Sequence, residues 1–158
     1  MYFQQYEQIE RLVRSLATFK AESKKMVKYL SQYGIALNFA GYIELIEAIA
    51  EMDEGDFESV FNVCGGILLW REYLGSLYER VCTQVHTCEN KVLYLEAFIE
   101  PERINKKLDT VIQEERAHYN MVKNYADVVL EQLKMLRKIY KFTQYRYEEL
   151  CKEGMRQA

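Results

Sequence analysis

Apolar residues recur at steps of three and four through almost the whole chain. In the first segment Ile9, Leu12, Leu16, Phe19, Met26, Leu30 and Tyr33 keep this step, and Ser23 fills the seam position between Phe19 and Met26. A heptad stripe of this kind is one face of an amphipathic helix, and it predicts a helix over about 3–33. Gly34 comes next, a residue suited to the left-handed turn that ends a helix.

The next segment, NFAGYIELIEAIAEMDE, predicts a short helix over about 38–53. Phe39, Ile43, Ile46, Ile49 and Ala50 are expected to face inward, with Glu44, Glu47 and Glu51 on the opposite edge. Gly55 stops it, and Asp56 is a good N-cap for a third helix.

That third helix is expected over about 57–99, with a seam through Leu74, Leu77, Val81, Val85, Cys88, Val92, Leu95 and Ile99. Gly65-Gly66 is a point where it could kink or break, since each Gly costs about 1 kcal/mol in a helix relative to Ala. Pro101 closes this helix and can open a fourth over about 102–153. The stripe of that last helix runs through Ile104, Leu108, Val111, Val122, Ala126, Val129, Leu133 and Tyr140. At about 1.5 Å per residue it reaches about 75 Å, more than the thickness of a compact domain of this size.

These periods specify an all-α chain. The expectation is one domain, 1–158, built as an elongated antiparallel bundle of three long helices and one short one with coiled-coil-like packing. Composition agrees with it. Seven Gly and one Pro leave few breakers, and 49% hydrophobic with 28% charged residues lies outside the disordered regime. The opening MYFQQYEQIERLVRSL has no signal-peptide core, and the apolar run ILLW is far too short to span a bilayer. A cytoplasmic protein with no membrane segment is therefore expected. Cys64, Cys82, Cys88 and Cys151 lack the spacing of a metal ribbon and read as free thiols.

Charge divides the chain sharply. No basic residue occurs between Lys28 and Arg71, and that interval holds Glu44, Glu47, Glu51, Asp53, Glu54, Asp56 and Glu58, a net −7. Residues 134–147 hold Lys134, Arg137, Lys138, Lys141 and Arg146 with no acid, interleaved with Tyr140, Phe142, Tyr145 and Tyr147. An acidic lobe steers and selects a basic partner. The basic and aromatic stripe has the chemistry to hold phosphates and stack on bases, although no nucleic-acid-binding motif accompanies it.

One local pattern carries metal chemistry. Glu115 and His118, in QEERAHY, stand three apart, and the five residues EERAH resemble the helix segment that supplies iron ligands in ferritin-like proteins. That resemblance implies a di-iron half-site, which also needs a Glu from two further helices and a second Glu-x-x-His. Projection of the other helices brings no second carboxylate inward. Glu115 falls on the apolar stripe and His118 on its flank, so the pair is expected to be a polar seam position satisfied by a Tyr hydroxyl, by His118, by water or by a Lys, with Lys20 as one ionic candidate. Cys82, His86 and Glu89 share one helical neighbourhood but have no fourth ligand nearby.

No phosphate-cradling Gly-rich loop and no nucleophile-elbow motif is present, and two His leave little acid–base capacity. The expectation is a non-enzymatic interaction protein without a cofactor or metal. It would be an adaptor, assembly subunit or inhibitor that forms homo- or hetero-oligomers or docks on a protein with a basic patch. The alternatives are a nucleic-acid-associated protein using 134–146, or a ferritin-like metal-binding bundle at Glu115 and His118.

Overall fold

The computed structural model describes residues 3–103 and 105–157; Ile104, expected on the fourth stripe, lies outside them. Four helices succeed one another: α1 (Phe3–Ser31), α2 (Ala40–Ala50), α3 (Phe57–Glu96) and α4 (Lys106–Gln157). No strand occurs among the described residues, and the helices pack as an all-α bundle.

The helix ends explain the differences from the expected boundaries. Gly34 takes a φ of 74°, its N–H donates to the Ser31 carbonyl, and Ile35 N–H reaches back to Leu30. These two bonds form a Schellman stop that satisfies the last carbonyls of α1. Tyr33 therefore lies past the helix and is 48% exposed, so it does not extend the stripe. Helix α2 is trimmed at both ends, and Asp53 shapes the turn after it by accepting from Gly55 N–H at 2.9 Å. Helix α3 ends at Glu96, which leaves Ile99 46% exposed outside the seam. Pro101 sits in the turn rather than in α4; Asn105 starts that helix, its Oδ1 accepting from Leu108 N–H at 3.1 Å.

Helix α3 runs unbroken through Gly65-Gly66. The two glycines differ in surroundings. A Cβ on Gly66 would meet Leu45 Cδ1 at 2.7 Å, whereas one on Gly65 would meet nothing within 4 Å. Gly41 of α2 likewise lies under the Trp70 ring, 3.0 Å from a Cβ it does not have. Gly66 and Gly41 thus let α2 and α3 approach closely.

The chain divides into two compact units, Met1–Leu74 with Glu131–Ala158, and Gly75–Leu130. In the first, Leu12, Phe19, Met26 and Leu30 of α1 meet a buried set from the other three helices, including Tyr42, Ile46, Ile49, Ile67 and Leu136. Each such side chain contributes about 1.5–3 kcal/mol by leaving water. An aromatic chain runs through this core: Phe19 lies edge-on to Phe39 at 5.2 Å and to Tyr42 at 5.1 Å, and Tyr42 contacts Trp70 at 5.5 Å. The inward face of α2 is therefore broader than its sequence stripe. Tyr42 and Leu45 are buried as well, and Ala50, expected inside, is exposed. A short helix held between α1 and α3 has two covered flanks.

One polar path crosses the first unit. The Tyr42 hydroxyl donates to Gln132 Oε1, Gln132 Nε2 donates to Ser15 Oγ at 3.0 Å, and Ser15 Oγ donates to the Leu12 carbonyl at 2.7 Å. Gln132 is only 3% exposed, so this chain of bonds satisfies groups that would otherwise be costly to bury.

The second unit is a helical hairpin of the C-terminal half of α3 and the N-terminal half of α4. Its seam is Leu77, Val81, Cys88 and Val92 against Ile112, Val122, Tyr125, Ala126 and Val129. Val111, assigned to the stripe from sequence, is 41% exposed, and Ile112 takes the inward place. The cross-helix pairs Lys91–Glu115 and Glu96–Arg116 set the antiparallel register.

Candidate functional site

Helix α3 supplies Cys88 and Lys91, and α4 supplies Glu115 and His118, to one cluster in the hairpin. Lys91 Nζ lies 2.8 Å from Glu115 Oε1, while His118 Nδ1 lies 3.8 Å from Glu115 Oε2 and 3.6 Å from Cys88 Sγ. The ionic partner of Glu115 is thus a Lys, as expected, but it is Lys91 of α3 and not the candidate Lys20. Helix α3 crosses α4 at this level, which no one-helix projection contains.

The cluster has neither of two familiar chemistries. A Cys–His–acid relay needs the thiol and the carboxylate on different ring nitrogens, and here both face Nδ1. Cys88 is also only 5% exposed. A di-metal centre needs several converging carboxylates and imidazoles, and among the described residues no group of three or more such side chains comes together. Glu115 instead meets an ammonium group. Glu115 Oε2 is a buried oxygen without a hydrogen-bond donor.

At the other candidate metal neighbourhood, His86 Nδ1 lies 3.8 Å from Glu89 Oε2 on an exposed face. Cys82 is tied to Tyr78, and their hydrogen bond raises the Tyr78 pKa.

The acidic residues of the first unit stand differently. Glu44, Glu47, Glu51, Asp53, Asp56 and Glu58 are exposed or half-buried, as is Glu54, and among the described residues none of their carboxylates makes an ion pair. Of two cations in the same unit, one is held elsewhere and the other meets the lobe only at a backbone carbonyl. The Arg71 guanidinium stacks over the Tyr140 ring at 5.2 Å. Arg146 donates through Nε to the Glu54 carbonyl at 2.6 Å and through Nη1 to Glu149 Oε2 at 3.0 Å. The lobe therefore keeps its negative charge.

The same contacts divide the basic stripe. Lys134, Arg137, Lys138 and Lys141 are exposed on α4 and make no ion pair among the described residues. Lys138 and Lys141 border a shallow groove with Glu7, Gln8 and Phe142. Arg146 leaves the set: its side chain is only 19% exposed, and it serves to join the α2–α3 turn to α4. Two of the interleaved aromatics are also occupied. Tyr140 carries Arg71, and Tyr147 packs against Phe57 at 5.4 Å and Phe61 at 6.0 Å.

Beside the acidic lobe the structure shows a feature that the sequence stripes do not include. Phe57, Phe61, Leu68 and Leu69 of α3 are 46%, 53%, 47% and 65% exposed. Phe57, Phe61 and Leu68 keep the steps i, i+4 and i+11, which place them on one face. The signal was present in the sequence as a second apolar stripe on α3, running beside the buried set Val60, Val63 and Ile67.

No protein family, no curated protein and no solved structure matches this chain.

Proposed function

We propose that this protein is a non-enzymatic interaction module, an adaptor, assembly subunit or inhibitor, whose acidic lobe engages a protein partner with a basic patch. The observation that carries this reading is the unbalanced charge of residues 44–58. Among the described residues its seven carboxylates have no ion-pair partner, and Arg71 and Arg146 are turned onto Tyr140 and the Glu54 carbonyl. Outside that segment several acids do find partners, as in Glu7–Arg11, Glu10–Arg14, Glu96–Arg116 and Glu115–Lys91. A surface that keeps its charge unscreened by its own cations speeds and selects association with an oppositely charged protein.

The test compares affinity capture by the wild-type protein and by a Glu47→Lys, Glu51→Lys, Glu58→Lys variant, with captured proteins identified by mass spectrometry. The expected result is a basic protein retained by the wild type, released by salt and lost with the variant. Equal recovery on both would sink the proposal.

A second reading rests on a separate observation. Lys134, Arg137, Lys138 and Lys141 place four exposed cations within about two turns of α4, a spacing that suits a phosphate backbone. A salt-dependent mobility shift with single-stranded and double-stranded nucleic acid tests it; Arg137→Glu with Lys141→Glu should abolish any shift.

A further inference from the structure

We infer that the element docking beside the acidic lobe is an amphipathic helix with a basic flank, seated on the exposed α3 column Phe57–Phe61–Leu68. This inference rests on the acidic-lobe reading and adds to it the form of the partner and the place where it sits.

The column has the dimensions and spacing of a helix-binding seam. Phe57, Phe61, Cys64 and Leu68 repeat at i, i+4, i+7 and i+11, the step at which one helix presents side chains to another. The rise from Phe57 to Leu68 is about 16 Å, or roughly three turns. The neighbouring face of this stretch is already used: Val60, Val63 and Ile67 are buried at 0%, 3% and 0% exposure. A helix with a second apolar stripe that is left about half exposed carries more apolar surface than its own fold requires.

The rings of the column are held in place rather than scattered. Phe57 and Phe61 stack at 6.0 Å with planes 13° apart, and Tyr147 of α4 packs against both. Two stacked rings, backed by a third, form a preorganised apolar platform that loses little side-chain freedom when covered.

Gly65 gives the column room. A glycine inside a helix costs about 1 kcal/mol relative to alanine, and Gly66 has a packing reason in Leu45. Gly65 has none: a Cβ there would meet nothing within 4 Å, and the residue lies between Phe61 and Leu69 on the open side. The absent side chain leaves a notch where a partner backbone can come close.

Charge selects the occupant. Glu58 and Glu72 lie on the free shoulder of the column, and Asp56 precedes it. None of the three makes an ion pair among the described residues, and Arg71, the nearest cation in sequence on the same helix, is stacked on Tyr140. A helix with Leu or Phe on one face and Lys or Arg along its flank complements both parts.

The experiment uses the full chain and two synthetic peptides of about 18 residues, long enough to span the column at about 1.5 Å per residue. One is a Leu/Lys sequence patterned as an amphipathic helix. The other has the same number of lysines with proline breaks, so that it keeps the charge but cannot form the helix. Titration calorimetry and circular dichroism should show the first peptide binding as a helix, and Phe61→Asp or Leu68→Asp should weaken it by about tenfold or more. Both substitutions add negative charge next to a cationic peptide, so a loss cannot be electrostatic. Both positions are about half exposed, so each variant is expected to keep its helicity, and either alone suffices.

Equal binding of the two peptides, unchanged by Phe61→Asp, would overturn the docking site while leaving an acidic surface that binds basic chains. Binding of neither peptide would remove both readings. Sedimentation showing a wild-type dimer that Phe61→Asp dissociates would also overturn the inference, by giving the column to a second copy of this chain.

Discussion

The Tyr42 hydroxyl donates its hydrogen bond to Oε1 of Gln132, far along the chain, and this contact ties α2 to α4 in the interior of the first unit. Both side chains are buried, Tyr42 at 0% and Gln132 at 3% exposure. Removing one partner leaves the other buried and unsatisfied, at a cost of about 1–3 kcal/mol. Tyr42→Phe is therefore expected to lower the unfolding free energy by that amount in urea titrations. Adding Gln132→Leu should recover part of the loss, although Ser15 Oγ then gives up the donor it accepts from at 3.0 Å. An additive double-mutant cycle would contradict the contact.

Burial pushes the Tyr42 pKa up from its ordinary 10.0, because the phenolate would be desolvated. The folded state then holds its proton to a higher pH than the unfolded chain does. Stability from this group is fully present below about pH 10 and is lost as pH rises above it toward the folded pKa. Unfolding midpoints followed from pH 8 to pH 12 (roughly the range that brackets a free tyrosine) should fall more steeply for the wild type than for Tyr42→Phe.

Glu115 holds Lys91 with one oxygen and leaves the other buried without a donor. Lys91 is 59% exposed at its side chain and Glu115 18%, so the ion pair itself is worth about 0–1 kcal/mol. Lys91→Ala is expected to cost somewhat more, about 1–2 kcal/mol, by leaving a largely covered carboxylate unpaired. Glu115→Leu should raise the melting temperature, since it removes the orphan oxygen and extends the seam between Ile112 and Val122. The double variant Lys91→Ala with Glu115→Leu should then melt near the Glu115→Leu protein; a large loss in Glu115→Leu with unchanged assembly would refute this account.

Gly65 and Gly66 are neighbours with opposite surroundings. Gly65→Ala adds a methyl in open space and should stabilise the protein by about 1 kcal/mol through helix propensity. Gly66→Ala adds one 2.7 Å from Leu45 Cδ1, so Leu45, 7% exposed, has to repack. Overpacking of this kind costs about 1–3 kcal/mol and should cancel or exceed the propensity gain. Thermal melts that stabilise both variants equally would mean that α2 and α3 are not in close contact here.

The four helices, their order and most of their inward residues were legible in the sequence. The stripes Leu12–Phe19–Met26–Leu30 and Leu74–Leu77–Val81–Cys88 are buried as their periods require, and Gly34 closes α1 as its type suggests. Helical period comes from local geometry, so one helix at a time is enough to read it. Free charges on the outer faces, such as Glu47, Lys134 and Lys141, were legible for the same reason.

Relations between helices were not. That Glu115 meets Lys91 instead of Lys20, that Arg146 leaves the basic stripe for the Glu54 carbonyl, and that Gln132 joins Tyr42 to Ser15 all depend on the register of one helix against another. The same holds for α3, where two apolar stripes run side by side. The sequence alone shows that both exist. Tertiary packing decided that Val60, Val63 and Ile67 became core and that Phe57, Phe61 and Leu68 stayed about half exposed, because which stripe is covered depends on the neighbouring helices and not on the period of α3 itself.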